Sequence, residues 1–433
     1  MADPRATSLP FREAAEFWRR KVNVPTATWR DLQRGDHAHG FMVAGAARLD
    51  VLTALRDAVD RVQDGASIED FRRDFDAIVA RTGWQYNGGR NWRTAIIYQT
   101  NLRSAYQAGR WQQMQAIKHR RPYWQYVHND SVKHPRPEHL GWNGKVLNAD
   151  DPWWSTHFPP NGYGCQCTVR TLAERDMQRL GLTMDEAPTP VDNTDGLDPG
   201  FDYNIGEAAS SLPAAVRFGQ KVMALPAGWR DIALADAQTR AGDLYADWGW
   251  LVDRVAGRMA AARETRQAVA RGEPAPLFQP NHERRAQPLG MLRPKTLQSL
   301  AAGRGLDGRT FAPVSVESAQ LIAEDAQLIH ALRDTHAEHL GAITAALRQA
   351  PQVIADGAAS VLWDREDAAL IYAWALPDGH WAKLVVRVGW HAQHHHPLRR
   401  PDRLRANMLR TVWVVSLEDL RAARYALLEG MLE

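Results

Sequence analysis

The chain has 433 residues, of which 45% are hydrophobic and 24% charged, a globular composition with length for two or three domains and not that of a disordered protein. Its 53 basic and 50 acidic side chains leave a net charge of +3, which excludes a chain that coats nucleic acid with its whole surface, so any polyanion contact is local. No run approaches the ~18 apolar residues of a membrane span, and Met1-Ala2-Asp3-Pro4-Arg5 lacks the basic-then-apolar order of a signal peptide, so synthesis in a cytoplasm without membrane contact is expected.

The first 120 residues read as helical. Ser67-Ile68-Glu69-Asp70 has the form of a capping box, and Ile68, Phe71, Phe75, Ile78 and Val79 recur behind it at helical spacing. From about Asn91 to Ile117 the stripe Trp92, Ala95, Tyr98, Leu102, Ala105, Gly109 predicts a second helix. Arg103, Gln107 and Arg110 share another face, expected to be solvated, with contact to a partner or DNA as the alternative. After Pro122, Tyr123-Trp124-Gln125-Tyr126-Val127 predicts a strand and Gly164 to Val169 a second. The polar, Pro-, Gly- and Trp-rich connection between them is long enough to be functional or pinned. A helix from Leu172 to about Leu180 closes this unit.

Residues 186–235 read as irregular chain wrapped over the first domain, followed by a helix with the stripe Leu244, Trp248, Leu251, Val255, Met259. Gly272 to Pro313 carries six prolines and five glycines and reads as a linker. Beyond it, Ser318 to Leu332 and Ala337 to Leu347 predict helices. Ala359–Trp363, Ala369–Ala375, Ala382–Val388 and Arg410–Ser416 predict strands, with a hairpin turn at Pro377-Asp378-Gly379-His380 and a closing helix from Leu417. The expected fold is α+β: a helical amino-terminal region with a small β-containing Cys/His loop domain over 1–185, an irregular and helical connection over 186–311, and a small α+β domain over 312–433.

Both cysteines of the chain, Cys165 and Cys167, flank Gln166. In extended chain their Cα atoms would lie roughly 6.5–7 Å apart, at or past the limit of disulfide geometry. A reduced pair is therefore expected, and side chains at i and i+2 share a face, so both sulfurs can address one metal ion. His139, Cys165 and Cys167 supply three ligands for a structural zinc, with Asp130 or His157 as the fourth. The alternative makes the cysteines small buried hydrophobes and Asp130, Arg136 and His139 a salt-bridged cluster. A hydrolytic zinc would also need a general base, for which only Glu138 is at hand.

Arg93-Thr94-x-x-x-x-Gln99-Thr100-Asn101 with Ser104-Ala105-Tyr106-x-x-Gly109-Arg110 resembles the helix signature of the phage Mu F-like minor head (head morphogenesis) proteins. Tyr123-Trp124-x-Tyr126, Asp130, Arg136-Pro137-x-His139, Gly144-Lys145-Val146, Asp151-Pro152-Trp153-Trp154, Thr156 to Gly162 and Gly164-Cys165-x-Cys167 resemble that family's pattern in order and spacing. Lys133-His134-Pro135 lengthens the usual step from Asp to Arg. The resemblance covers about residues 10–225. It implies a minor capsid protein in the interior of the virion head, present in the host cytoplasm during assembly, with portal and major capsid or scaffold proteins as partners.

Residues 312–433 resemble the barnase/EndoU/colicin/RelE-like nuclease domains, through Val314-Ser315 before a helix, a His-bearing helix, Pro351-x-x-Ile354, Asp364-Arg365, Lys383 on a central strand and Thr411–Ser416 on the last. Metal-free RNA cleavage needs a base, an acid and phosphate-binding cations. The resemblance offers His339, Lys383, Arg410 and Ser416 for those roles, with His336 and Thr411 as alternates. The stretch His391 to Arg410, with four histidines and five arginines against Asp402, is expected as a basic loop suited to phage DNA, host RNA or an acidic capsid partner.

Overall fold

Ser67 caps its helix as its spacing predicts: its hydroxyl accepts from the Asp70 N–H at 3.2 Å, and the Asp70 carboxylate accepts from the Ser67 N–H at 2.9 Å. In the computed structural model the described residues are 11–132, 134–188, 196–273, 286–333, 338–394 and 402–433. They form two units, Met1–Ala209 and Ser210–Glu433. The architecture is α+β, as expected.

The first unit runs α1 (Arg12–Arg19), β1 (Val22–Asn23), β2 (Gly40–Phe41), α2 (Leu49–Gln63), α3 (Ile68–Thr82), α4 (Arg90–Ile117), β3 (Tyr123–Val127), α5 (Pro137–Trp142), β4 (Val146–Asn148), α6 (Trp154–His157), β5 (Thr168–Leu172), α7 (Glu174–Leu180) and α8 (Ile205–Ala209). Phe71, Phe75 and Ile78 of α3 are buried, as their spacing requires. In α4, Gly109 lies where an added Cβ would meet the Ala14 backbone nitrogen at 2.8 Å, so its lack of a side chain lets α1 cross close to α4. Trp92, expected in the apolar stripe, is exposed. Conversely, Gln107 from the expected solvated face is buried and donates to the Cys167 carbonyl at 2.8 Å, and Arg103 donates to Gln166 Oε1 at 3.2 Å. That polar face is the seat of the cysteine loop.

An antiparallel sheet of order β4-β3-β5 lies beside α4. β3 has the predicted bounds, whereas the second predicted strand begins at Thr168, so both cysteines precede it. Trp124, Tyr126, Trp142, Trp153, Trp154 and Phe158 pack with Met114, Val169 and both cysteines into one core. Part of the chain's tryptophan content is thus spent on an edge-to-face aromatic core, for example Tyr126 on Trp142 at 5.5 Å and Trp142 on Trp153 at 5.4 Å.

The second unit opens with α9 (Leu212–Ala224), α10 (Ala227–Thr239), α11 (Ala241–Leu244) and α12 (Trp248–Ala270). Helices therefore occupy much of the stretch expected as irregular, because its prolines sit at helix starts, Pro213 at the first turn of α9 and Pro226 before α10. β6 (Ala286–Met291), α13 (Pro294–Ala302), β7 (Gln320–Glu324), α14 (Asp325–Ala331), α15 (Leu340–Asp356), β8 (Ser360–Asp364), β9 (Ala369–Ala375), β10 (Trp381–His394), β11 (Asp402–Val415), α16 (Leu417–Arg421) and β12 (Tyr425–Glu429) complete it. One seven-stranded sheet has the order β12-β8-β9-β10-β11-β7-β6, antiparallel except between β11 and β7.

Three expectations are corrected here. The linker contains β6 and α13; Pro288 is tolerated because β6 is an edge strand and the register shifts between Pro288 and Gly290. The helix expected from Ser318 splits into β7 and α14, since Leu321, Ile322 and Ala323 are consecutive buried residues of an inner strand. The basic stretch His391–Arg410 is largely the outer part of a β10–β11 ribbon, paired from Trp381 with Val415 to His394 with Asp402, and not an open loop. Residues 395–401 of it lie outside the described residues.

α15 continues through Pro351 to Asp356, well past the predicted Leu347. Proline removes the N–H that would bond the carbonyl four residues back, and the Leu347 carbonyl instead accepts from the Trp248 indole N–H. Trp248→Phe should therefore lower unit stability by about 2 kcal/mol, as one buried carbonyl loses its partner. Urea denaturation of the variant measures this, and an unchanged midpoint would show that the indole bond is idle.

Candidate metal centre

His139 enters from α5, whose first turn is set by Pro137 after Arg136 in extended conformation. Its ring stacks on Trp142 at 4.9 Å and 26°. Nε2 lies 2.9 Å from the Gly196 carbonyl, which makes it the N–H donor and turns the Nδ1 lone pair inward. Nδ1 stands 3.6 Å from Cys167 Sγ and 3.9 Å from Cys165 Sγ. The three ligand atoms lie within 4.8 Å of one another, all in buried residues. Both cysteines are free thiols.

A tetrahedral zinc with its usual bond lengths spaces sulfur from nitrogen by about 3.6 Å. The observed 3.6 and 3.9 Å lie at and slightly above that value, close enough for one ion to reach all three atoms after small side-chain shifts. The hydrogen bond of His139 to a backbone carbonyl is also the outer support that a ligating imidazole needs. The Cys167 thiol bonding to the Cys165 sulfur pulls Cys165 well below its usual range, with His139 acting in the same direction. The same pairing, together with burial, pushes Cys167 up. A cation bound between the two sulfurs would take the place of the proton they share. The Asn161 and Asn129 backbone N–H groups act to stabilise the sulfurs' charge, and the Tyr126 hydroxyl, itself pushed well up by burial, bridges Cys167 and the Asn161 side-chain carbonyl at 2.9 Å.

Neither candidate for a fourth ligand belongs to this group. The Asp130 side chain is 87% exposed and meets His128 Nδ1 at 3.0 Å. His157 lies parallel to Trp153 at 4.4 Å, with Nδ1 at 2.8 Å from the Thr156 hydroxyl. The alternative salt-bridged cluster is not formed either: Arg136 binds Asp198 at 2.6 Å and the Tyr163 carbonyl at 3.1 Å, apart from Asp130. Gly196, Asn161 and Tyr126 are supports whose role the sequence does not announce; Tyr126 and Asn161 lie in motifs that resemble the family, and Gly196 in none.

The family model described as Phage Mu protein F like protein matches residues 50–170, which takes in α3, α4 and the whole Cys/His loop. A protein of Escherichia phage Mu named "Putative capsid assembly protein F" is 30% identical over 463 aligned positions, spanning 99% of this chain and 95% of that protein. This chain belongs to the phage Mu F-like family. A second relative, the Mu-like prophage FluMu F protein of Haemophilus influenzae, is 31% identical over 216 positions, 47% of this chain and 51% of that protein. No solved structure matches. Within the family region lie all three residues of the candidate metal centre.

In the second unit the predicted site residues part company. Lys383 and Arg410 line one cleft on the sheet, with Thr411. His339 stands at the start of α15 with its ring 6.0 Å from that of His380. Ser416 is the N-cap of α16, its hydroxyl 2.7 Å from the Asp419 carboxylate. His336 lies outside the described residues. His330, which no motif singled out, lines the cleft instead.

Proposed function

We propose that this chain is a head-assembly protein of a tailed phage, incorporated inside the procapsid next to the portal, and that His139, Cys165 and Cys167 hold a structural zinc ion. The observation that carries the first part is the end-to-end alignment with a phage Mu protein whose name describes capsid assembly. A match over 99% of the chain supports one role for both units, where a local match would speak for one unit only. Portal and major capsid or scaffold proteins are the partners, and the virion interior is the location. The test is chemical cross-linking and mass spectrometry of purified procapsids. Cross-links to the portal with few copies per particle are expected; even distribution over the shell, or absence from procapsids, would overturn the reading.

The zinc supplies structure and not hydrolysis in this reading. Three donors buried in an aromatic core fasten α5 to the start of β5 across a long connection. RNA cleavage forms no part of the proposal, because His339 and Ser416 do not line the cleft that contains Lys383 and Arg410.

A further inference from the structure

Lys383 and Trp413 face each other across the β10–β11 ladder, as do Val385 and Thr411. Directly opposed residues of an antiparallel pair project to one face, and on β10 that face continues to Arg387. Part of it is covered: Leu362, Ile371, Trp381 and Leu420 of α16 form a hydrophobic cluster there, against which Val385 packs. The rest is a cleft lined by Lys383, Arg387, Arg410, Thr411, Trp413 and His330.

Two acidic residues also line this cleft, and both are occupied. Arg424 binds Asp364 at 2.5 Å and Asp367 at 2.9 Å, and Asp364 accepts in addition from the Glu366 and Asp367 backbone N–H groups at 3.1 and 3.2 Å. No carboxylate within ion-pair distance is assigned to Lys383, Arg387 or Arg410 among the described residues. Lys383 donates to the Tyr425 hydroxyl at 2.6 Å and lies over its ring, and the Arg387 guanidinium sits 4.7 Å from the Trp390 ring. Thr411 is only 6% exposed, with its hydroxyl oxygen buried beneath the cleft and without a hydrogen-bond partner among the described residues. Trp413, which lines the cleft beside the cations, is 43% exposed.

Cations spaced along a strand beside a part-exposed indole on one sheet face are a combination that holds phosphates while a base stacks. Lys383 and Arg387 are about 13 Å apart at the usual strand rise, room for more than one phosphate. We infer that this face of the carboxy-terminal sheet binds single-stranded nucleic acid, with Lys383, Arg387 and Arg410 on the phosphates and Trp413 stacked on a base. A duplex cannot offer its paired bases to an indole, so single strands are the favoured form. The inference stands on the second unit alone and is independent of the head-assembly proposal.

The test is fluorescence anisotropy with the full-length protein, using labelled oligothymidylate, labelled oligouridylate and a duplex of matched length. Both single strands should bind more tightly than the duplex; their ratio tells DNA from RNA. Lys383→Ala with Arg410→Glu should weaken binding about tenfold or more and reduce the log–log salt slope by about 1.4, at about 0.7 per phosphate contact. Trp413→Ala should weaken single-strand binding about tenfold with the slope unchanged. Arg304→Glu, an exposed change on another part of the unit, should leave binding intact, and thermal melting checks that each variant folds. Absence of binding, equal affinity for the duplex, or unaltered binding by the Lys383/Arg410 variant would overturn the inference.

Discussion

Replacing Cys165 and Cys167 together with serine is expected to remove one zinc per chain and lower the stability of the first unit by about 3–5 kcal/mol. Zinc-finger peptides owe about 10–16 kcal/mol of apparent folding energy to their metal. The smaller figure here follows from the aromatic core around the site, which holds much of this region without help. Serine in place of an unliganded buried thiol would cost about 1–2 kcal/mol, so the magnitude separates the two cases. Metal content of the purified protein by mass spectrometry, and melting followed by tryptophan fluorescence with and without chelator, give the readout. Chelator should lower the wild-type transition and leave the double variant unmoved. A wild type that carries no zinc and ignores chelator would remove the metal and leave the cysteines as packing groups.

The central site was legible because its chemistry is written locally. Cysteines at i and i+2 predict a shared face, and the buried Cys165 and Cys167 on either side of partly buried Gln166 realise it even though the strand starts one residue later. Gly196 and Asn161 were not legible, since each acts through backbone or amide contacts that only the folded loop defines. The error at Gln107 has the same origin: a polar residue on a helix face reads as solvated until a carbonyl such as that of Cys167 is laid against it.

In the second unit composition misled where pattern did not. β9 has its predicted bounds, and Gly379 makes the predicted hairpin turn, with φ of +84° and its N–H bonded to the Leu376 carbonyl at 3.1 Å. Prolines and glycines between 272 and 313 suggested a linker, yet Pro288 lies on a sheet edge and Pro294 at the first turn of α13, two places where a missing N–H does no harm. The basic ribbon failed for another reason. His391–Arg410 reads as a loop from its charge, whereas its strand character comes from pairing along the ladder that continues from Lys383 and Trp413. The cations that matter for the cleft are therefore set by sheet register and not by local charge density.

Lys21→Met is expected to stabilise the first unit by about 2–4 kcal/mol at pH 6 and by progressively less as pH rises toward 9.5. Lys21 is only 3% exposed, with its ammonium 4.8 Å from the Phe17 ring and 5.6 Å from that of Trp18, and no carboxylate pairs with it among the described residues. Arg56 lies beside it, fully committed to capping α1: its guanidinium donates to the Lys21, Trp18 and Arg19 carbonyls at 2.7, 3.1 and 3.0 Å. Burial, and then the Arg56 charge, hold the Lys21 amine down to about 7 from 10.5. Below pH 7 folded and unfolded chains both hold the proton, and the folded state carries the full penalty of a buried charge. Between pH 7 and 10.5 the unfolded chain binds more protons, so stability rises with pH through that window. His37 and His39 also face this amine, but burial keeps both near 4, so they stay neutral throughout it. Methionine fills the space with no charge and removes this dependence. Urea unfolding at pH 6, 8 and 9.5, taken as the difference between variant and wild type, cancels the other titrating groups. A difference that stays constant across the three pH values would mean that Lys21 remains protonated in the fold, and a destabilised variant at pH 6 would mean that its charge has a favourable partner.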